Sequence, residues 1–577
     1  MNTMDVQRSR IPLRSWSHTS VVAAVGVGTF SFVSILYACK WILLAINVSL
    51  PPSVVGAIAL TSALIAASSI ARERALVSML STAALIATAI TIDARQVDTS
   101  FDGQMYHQEA MLRLLEGWNP ISGDQLRAVA AEQTTRIDFL LEHFPKFPWI
   151  TGAALAELTG TLEAGKAVQS LLLVAAAFLC CAVARMVFGV PVATSWWLSV
   201  LAAGSPIVVA QLGSAYVDGI TSLVLLIALI AGIGAVFSTD SVLTGLLATI
   251  APTALALLVN TKLTGLIYGV GLGGSLVVLA LVYARPIPAI VLAVGIVWGI
   301  VAFGFDPYVR NTLRYGSPVY PVTAYSFSGV TPIEESLIVD QLPGDFVGED
   351  RFSKLGASLF GRSENVHRPL VSAPKWPWKV TREEFEAFRD PDVRIAGFGP
   401  LFALILCSAL VLNAGLLLQH RRVGGMVALM SFVLLTSTLV NPEAWWARYV
   451  PQLWFIPLVI AAGAVTRHSS FFRWVGGAVL MLMTVNVAGI AWLRFLHVRD
   501  AGALQQTQLE RLADSASVAV QFGQFRSLRA RLRYYGVPFH EVAELPCRVP
   551  GEIFYAPVNY CATAKGEGGI PLPEQSR

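Results

Sequence analysis

The run VDGITSLVLLIALIAGIGAVF at residues 217–237 decides the fold class, because its only ionisable residue, Asp218, stands at its start. About 20 consecutive apolar residues are enough to cross the hydrocarbon layer of a bilayer as a helix. Counted outward from this run, the chain holds about thirteen candidate spans. Several of them, including 192–209 and 450–465, are short. We therefore expect an all-α polytopic membrane protein with about 13 transmembrane helices.

The composition argues against a water-soluble domain. Of the 577 residues, 55% are hydrophobic and only 14% are charged, whereas soluble domains carry roughly 25% charged residues. Lipid must therefore be the solvent for much of the surface. The net charge of +4 is small and no long basic block accompanies it, so we expect a lipid bilayer as a partner and no nucleic acid.

The distribution of arginines between successive turns predicts the orientation. Cytoplasmic loops of membrane proteins carry an excess of Lys and Arg. With a cytoplasmic N-terminus, five of the six inner turns carry arginine, and the turn around Asp240 is the exception. The short outer turns hold one basic residue between them, Arg448. We therefore expect a multi-pass plasma-membrane protein, in the bacterial inner membrane, with its N-terminus in the cytoplasm.

Two long polar loops and the tail then lie on the outer, periplasmic face. The tail is expected to start with a helical stretch near Leu504–Leu532 and to form a small appendage, not a catalytic domain. Its Cys547 and Cys561 suit a disulfide in an oxidising compartment, with two free thiols as the alternative. The expected layout is a cytoplasmic N-terminus (1–20), three transmembrane helices (21–92), an outer loop with a candidate catalytic helix (93–166), helices 4–9 (167–305), a second outer loop (306–394), helices 10–13 (395–495) and the outer tail (496–577).

The first long loop carries a polar pattern at helical spacing. Asp102, Tyr106, Glu109 and Arg113 stand at offsets 0, 4, 7 and 11, which share one face of a helix. Such a stripe beside the membrane would face a water-filled cleft. The alternative is a solvated loop helix on which Glu109 and Arg113 simply pair.

The same loop returns to the membrane with Glu142-His143-Phe144-Pro145-Lys146-Phe147-Pro148-Trp149. His143 and Lys146 could bind a phosphate here. Alternatively, Trp149 is an interfacial anchor and Lys146 extends its ammonium group to the interface.

Three further ionisable residues border apolar runs on the same outer side: Asp218, Lys262 and Arg448. A charge near membrane depth is costly unless it is paired or hydrated, so each is a candidate functional residue. Extension of each side chain to the interface is the alternative. Because acids and cations from separated segments share one side, we expect them to converge on one outer cleft.

At these residues the chain resembles the GT-C superfamily of polytopic glycosyltransferases, as found in its bacterial members. The likeness is carried by Asp102-Gly-Gln-Met-Tyr106-His107 with the later Gly117-Trp-Asn119-Pro120, and by short segments around Lys146, Asp218 and 311–321. It spans most of the membrane region but not the tail. The chain departs from the family at Gly103, where many members have a second acid, and in placing the loop after the third span.

The resemblance implies an enzyme that takes a sugar from a polyprenyl-phosphate donor and passes it to a cell-envelope glycan or lipid acceptor at the outer face. It implies an inverting displacement with Asp102 as the carboxylate base. Lys146, Lys262 and Arg448, in that order, are the candidates for the donor phosphate. Asp218 and His107 would orient the acceptor, and Tyr106 would contribute to substrate binding.

A cofactor is not demanded. A divalent cation, Mg²⁺ or Mn²⁺, near Asp102 and Asp218 stays open as an option. Trp376 and Trp378 of the second loop either stack on sugar rings or pack the loop.

Three other functions stay open. A transporter or flippase is the main rival, although the chain has no internal repeat and its charges lie toward one face. A lipid-linked polysaccharide polymerase or ligase would keep the donor and change the acceptor. A nonenzymatic scaffold leaves Asp218 and Lys262 unexplained.

Overall fold

The computed structural model describes residues 13–122, 136–320, 343–365, 372–466 and 469–563. In this part of the chain the helices are α1 (Leu13–Ala45), α2 (Pro52–Ile70), α3 (Ala75–Arg95), α4 (Gln108–Leu115), α5 (Arg136–His143), α6 (Phe147–Thr159), α7 (Ala167–Met186), α8 (Val192–Ala203), α9 (Pro206–Gln211), α10 (Asp218–Phe237), α11 (Ser241–Val259), α12 (Leu263–Val282), α13 (Pro286–Trp298), α14 (Arg310–Tyr315), α15 (Arg351–Leu359), α16 (Arg382–Glu386), α17 (Phe402–Gln419), α18 (Arg421–Val440), α19 (Phe455–Val465), α20 (Ser470–Ala513) and α21 (Leu528–Tyr534).

Eleven helical segments among the described residues are long and apolar enough to cross a membrane. They contain α1, α2, α3, α7, α10, α11, α12, α13, α17, α18 and α20. Large apolar side chains on them point out of the bundle, as Val282 (73% exposed) and Trp474 (80% exposed) do. In water such exposure is costly, whereas in a bilayer it is the normal contact with lipid. The chain is therefore a multi-pass membrane protein.

The two short runs of the sequence analysis are shorter still as helices. In the run 192–209, α8 ends at Ala203 and a new helix, α9, starts at Pro206 with Ser205 as its N-cap. Proline at the first helical position ends the preceding helix, because it has no N–H to donate. The run 450–465 starts with a 3-10 turn before α19. Both remain apolar helices of 10–17 residues, so the count of 13 spans stays a prediction.

Part of the first long loop is buried against the bundle. Residues Phe147–Ala156 of α6 are all buried, and α6 packs against α1 and α4. Phe147 meets Tyr37 of α1 edge-to-face, with ring centroids 5.1 Å apart. The run was missed because its apolar stretch is too short to cross a bilayer.

The chain is mostly helical, as expected, but the second long loop and the tail also contain short strands. In the second loop, β1 (Glu364–Asn365) pairs antiparallel with β2 (Val393–Ile395). In the tail, four strands form a sheet in the order β4-β3-β6-β5. These strands are β3 (Ser517–Gln521), β4 (Phe539–Glu541), β5 (Gly551–Glu552) and β6 (Asn559–Thr563).

The tail also differs from the predicted helix near Leu504–Leu532. The last span continues out of the apolar region as α20, ends at Ala513, and is followed by β3 and then α21. Strand β3 (Ser-Val-Ala-Val-Gln) has three consecutive buried apolar residues between two polar ends, which is the pattern of a short strand buried on both faces. Cys547 and Cys561 of this appendage are joined in a disulfide.

The two long loops and the tail lie on one side of the bundle, because they contact each other directly. Arg448 links Asp102 of the first loop to Asp392 of the second. Arg531 of the tail binds Glu163 near the end of the first loop. The sequence analysis placed all three segments on a single face, and these contacts agree with it.

Candidate functional site

Asp102 lies in a helical turn that directly follows a buried anchor, Asp98. Asp98 accepts hydrogen bonds from Ser100 Oγ (2.6 Å) and from the backbone N–H of Ala215 (2.8 Å). This ties the start of the loop to the segment before α10. A Cβ at Gly103 would lie 2.3 Å from Asp98 Oδ2 and 2.2 Å from Ser100 Oγ. The position therefore has no room for a side chain, which explains why no second acid follows Asp102.

The predicted polar stripe of Asp102, Tyr106, Glu109 and Arg113 does not form along one face of a regular helix. Residues Gly103–His107 form a π-turn, with the N–H of Gln108 donating to the carbonyl of Gly103. The wider turn breaks the 3.6-residue spacing on which the stripe depends. Glu109 and Arg113 instead form a buried ion pair at 2.7 Å. The alternative interpretation, a solvated helix on which Glu109 and Arg113 pair, is therefore right about the pairing, but the pair is buried.

Arg448 is the centre of the candidate site. It lies in a 3-10 turn, Ala447–Tyr449, between α18 and α19. Its Nη1 is 3.1 Å from Asp102 Oδ2 and 3.8 Å from Asp218 Oδ2, and its Nε is 3.4 Å from Asp392 Oδ1. One guanidinium thus contacts carboxylates from three separate segments.

A lysine completes this group. Lys262 Nζ is 2.5 Å from Asp218 Oδ1, and Gln211 Nε2 donates to Asp218 Oδ2 at 2.9 Å. Asp218 lies in the first turn of α10, where the positive end of the helix dipole also favours a carboxylate. Asp102, Asp218, Lys262, Asp392 and Arg448 are called the Arg448 cluster below.

Asp392 is the member that the sequence analysis missed. It precedes β2 and also pairs with Arg394 at 3.1 Å. The ring of Trp446 lies 3.9 Å from the Arg394 guanidinium and 4.1 Å from that of Arg448, and such contacts favour the cation. The available signal was the charge-rich stretch Asp390-Pro-Asp-Val-Arg394 directly before an apolar run.

Burial raises the pKa of the Asp392 carboxyl to about 6, although Arg448 and Arg394 act in the opposite direction. The carboxylates of Asp102 and Asp390 add to the upward shift. Asp392 therefore holds its proton to a higher pH than an ordinary aspartate, whose pKa is about 3.9.

The members of the cluster differ in access to solvent. The side chains of Asp102 and Lys262 are 17% and 14% exposed, while that of Asp218 is only 2% exposed. Arg448 is intermediate, at 9%. A ligand entering from the loop side would therefore meet a carboxylate and an ammonium first, with the guanidinium behind them.

No family model, no curated protein and no solved structure matches this chain. The case for a function thus rests on the chemistry of the Arg448 cluster and of the segments that hold it.

Tyr106 and His107 lie close to the cluster, and His107 is buried. His107 is 2% exposed, and its Nδ1 accepts a hydrogen bond from Trp149 Nε1 at 2.8 Å. Because an indole N–H only donates, the ring proton of neutral His107 is on Nε2. Burial lowers the pKa of His107 to about 3, so the ring is uncharged at neutral pH. Trp149 is buried as well, so it is not a lipid-facing anchor.

His143 and Lys146 belong to a different group. Lys146 Nζ is 2.5 Å from Asp306 Oδ2, with both side chains 3% exposed, and Arg310 pairs with the same carboxylate at 2.8 Å. His143 Nδ1 is 3.0 Å from Asn311 Oδ1. Burial lowers the pKa of Lys146, and Asp306 opposes that shift. These residues, called the Lys146 cluster, join the two long loops, and Lys146 (3% exposed) is more deeply buried than Lys262 (14% exposed).

The Gly117-Trp-Asn119-Pro120 motif has a structural role here. Gly117 adopts a φ of +96°, which favours glycine. Asn119 Nδ2 donates to the carbonyl of Leu44 at 2.8 Å, and its Oδ1 accepts from the N–H of Ile121. The motif therefore fixes the end of the first loop helix against α1.

A divalent metal does not fit the Arg448 cluster well. Asp102 and Asp218, the two ligands that the sequence analysis left open, both contact the guanidinium of Arg448. A cation between them would have to displace that positive charge. Within the described ranges, no group of three or more His, Cys, Asp or Glu side chains could hold a metal ion.

Trp376 and Trp378 are 67% and 66% exposed. Their rings stack on each other with centroids 5.2 Å apart. They therefore do not pack the loop, and stacking on sugar rings stays the open alternative.

Proposed function

We propose that this protein is an inverting membrane glycosyltransferase of GT-C type, which transfers a sugar from a polyprenyl-phosphate donor to a cell-envelope glycan or lipid acceptor. We place the reaction at the outer face of the bacterial inner membrane, with the N-terminus in the cytoplasm. The observation that carries the proposal is the partly exposed pair of Asp102 and Lys262 beside the more buried Arg448.

The proposed reaction is a single displacement. The Asp102 carboxylate takes the proton of the acceptor hydroxyl, and that oxygen attacks the anomeric carbon of the donor sugar. The bond from this carbon to the phosphate oxygen breaks, and polyprenyl phosphate leaves with the electron pair. A positioned base of this kind contributes about a hundredfold to ten-thousandfold.

The leaving phosphate needs positive charge in a site shielded from water. Lys262 and Arg448 supply it beside Asp102, whereas Lys146 is buried against Asp306. We therefore rank Lys262 and Arg448 above Lys146 for the donor phosphate, which reverses the order expected from the sequence. Asp218 holds both cations in place, and His107 offers a neutral donor for the acceptor.

The test uses purified protein in lipid nanodiscs with polyprenyl-phosphate sugars from a membrane extract. We expect Asp102→Asn to lower turnover about a hundredfold or more while the donor KM changes little. Asp500→Asn is the matched control, because Asp500 is exposed on α20 and pairs only with its neighbour Arg499 among the contacts described. Near-normal turnover by folded Asp102→Asn would remove Asp102 from the mechanism.

The rival functions give different results in the same preparation. A transporter or flippase would move the lipid-linked sugar across sealed vesicles and form no covalent product. A polymerase or ligase would consume the donor but add a whole glycan, which mass spectrometry of the product distinguishes from a single sugar.

A further inference from the structure

The C-terminal appendage lies against the turn that carries Asp102. Phe525 meets Phe101 edge-to-face, with ring centroids 5.1 Å apart. Ser527 Oγ donates to the carbonyl of Gln104, and Gln104 Nε2 donates to the carbonyl of Tyr555 at 2.8 Å. The residue before Asp102 and the second residue after it are therefore both held by the tail.

Arg531 of α21 is the centre of this contact. Its guanidinium is buried and contacts Glu163 Oε1 through Nη2 (2.6 Å) and Nε (3.0 Å). Nη1 donates to Gln104 Oε1 at 2.9 Å and to Gln505 Oε1 at 2.7 Å. Nη2 also donates to the carbonyl of Asp98 at 3.0 Å and to Gln108 Oε1 at 3.2 Å.

These acceptors bracket the turn. Asp98 and Gln108 lie on either side of Gly103–His107, and Gln104 lies inside it. Asp102 itself points away from the appendage, to Arg448. The appendage thus contacts the turn through Phe101 and Gln104, while Asp102 contacts Arg448.

A buried guanidinium is costly unless its donors are satisfied, so the hydrogen-bond partners of Arg531 determine whether the docked position is stable. Every nitrogen of Arg531 has a partner, and those partners come from the first loop, the segment before α7 and α20. Docking of the appendage therefore places one guanidinium among acceptors from several segments of the bundle. A lysine could neutralise Glu163 but could not reach the other acceptors in a planar fork.

The disulfide belongs to the same arrangement. Cys547 and Cys561 close a loop that contains Phe554 and Tyr555. The carbonyl of Tyr555 accepts from Gln104, and that of Phe554 accepts from Gln505 Nε2 at 2.6 Å. The covalent bridge thus restrains the loop that supplies these two acceptors.

We propose that the C-terminal appendage is a positioning module, in which Arg531 acts as a positioning residue that fixes the Asp102 turn against Arg448. The structural half of this inference, that Arg531 holds the Asp102 turn in place, is independent of the reaction. The kinetic half, that this restraint supports turnover, rests on the proposed glycosyl transfer. The two halves are therefore measured separately.

The structural measurement is hydrogen exchange of peptides covering residues 100–108, with full-length protein in nanodiscs. Arg531→Gln should speed exchange in this segment about tenfold or more, because charge-assisted hydrogen bonds are lost. Peptides from α10 should be unchanged. Arg533→Gln, on the same helix, is the control, since Arg533 is 58% exposed and contacts the exposed Glu116.

Two milder changes keep the inference testable if Arg531→Gln fails to fold. Ser527→Ala removes only the hydroxyl that donates to Gln104, and Arg531→Lys keeps the charge. Both should raise exchange in 100–108 by less than Arg531→Gln does. Unchanged exchange in the folded variants would overturn the inference.

The kinetic measurement uses the donor-consumption assay. Displacement of the turn should lower kcat about a hundredfold in Arg531→Gln, with Arg531→Lys in between. The donor KM should stay near the wild-type value, because Lys262 and Arg448 lie on other segments. Faster exchange with unaltered kcat would refute the positioning role in catalysis. If wild-type protein consumed no lipid-phosphate sugar, the proposed function would fail, and the exchange result would still decide the structural half.

Discussion

Replacing Arg448 by glutamine is the sharpest perturbation of the candidate site. The change keeps a polar side chain of similar length and removes one positive charge. Its guanidinium contacts Asp102, Asp218 and Asp392 at 3.1, 3.8 and 3.4 Å. The variant therefore leaves three carboxylates close together with less positive charge among them.

The distances set the size of the effect. Unit charges about 3.5 Å apart attract by about 5 kcal/mol at an effective dielectric constant of about 20. Desolvation of the guanidinium offsets several kcal/mol of this. Asp218 keeps Lys262 and Asp392 keeps Arg394, whereas Asp102 loses the cation described beside it. We expect a loss of about 3–5 kcal/mol, as for other buried pairs that lose one partner, out of a typical total of about 5–15 kcal/mol.

The kinetic effect follows from the same charge. Removing one preorganised group that stabilises a developing anion costs about 2.7–4 kcal/mol, or about a hundredfold to a thousandfold in kcat. Arg448→Lys keeps the charge but loses the stacking on Trp446, so its turnover should lie between the two. The assays are donor consumption and thermal unfolding, both with protein in nanodiscs.

A second substitution separates charge from packing. Adding Asp392→Asn to Arg448→Gln removes one of the three carboxylates and should recover about 1–3 kcal/mol of stability. The double variant should not recover turnover, because the cation for the leaving phosphate is still absent. A folded Arg448→Gln protein with kcat/KM close to wild type would refute the role given to Arg448.

Three further outcomes test other parts of the account. The donor KM should fall as the pH drops through about 6, the pKa of buried Asp392, because the protonated carboxyl no longer neutralises Arg448. Asp392→Asn should abolish this pH dependence, and a dependence that survives in the variant would contradict the role given to Asp392. Lys262→Gln should raise the donor KM about tenfold or more. Lys146→Gln should instead lower the unfolding temperature and leave the donor KM of the folded protein near wild type. Equal effects of the two variants on the donor KM would refute the separation of the Arg448 cluster from the Lys146 cluster. An impermeant maleimide should label Glu116→Cys in intact cells and Glu73→Cys only after permeabilisation, and the opposite pattern would reverse the orientation.

The eleven long apolar helices among the described residues were predictable because each depends on a local property. An apolar run such as 217–237 has one stable solution in a bilayer, a helix whose backbone groups are all satisfied. The convergence of Asp102, Asp218, Lys262 and Arg448 was also predictable, since isolated charges at membrane depth require partners.

The pairing within the site was not predictable. Whether Lys146 joins Asp218 or Asp306 depends on how helices pack, and nothing local in the sequence fixes that. The π-turn at Gly103–His107 was not predicted either, because the helical spacing of Asp102, Tyr106, Glu109 and Arg113 gave no sign of it.

The appendage was underestimated for a similar reason. Arg531 is one of several arginines in 526–533, and sequence alone does not distinguish it from the exposed Arg533. Its partners, Glu163 and Gln104, are more than 300 residues away in the chain.

The most direct measurement of the central claim is an experimental structure of the protein with a polyprenyl-phosphate sugar bound, using Asp102→Asn to prevent turnover. The account predicts the phosphate within hydrogen-bond distance of Lys262 and Arg448, with the anomeric carbon facing residue 102. A phosphate bound instead at Lys146 and Arg310, with Lys262 still on Asp218 and remote from the ligand, would contradict it.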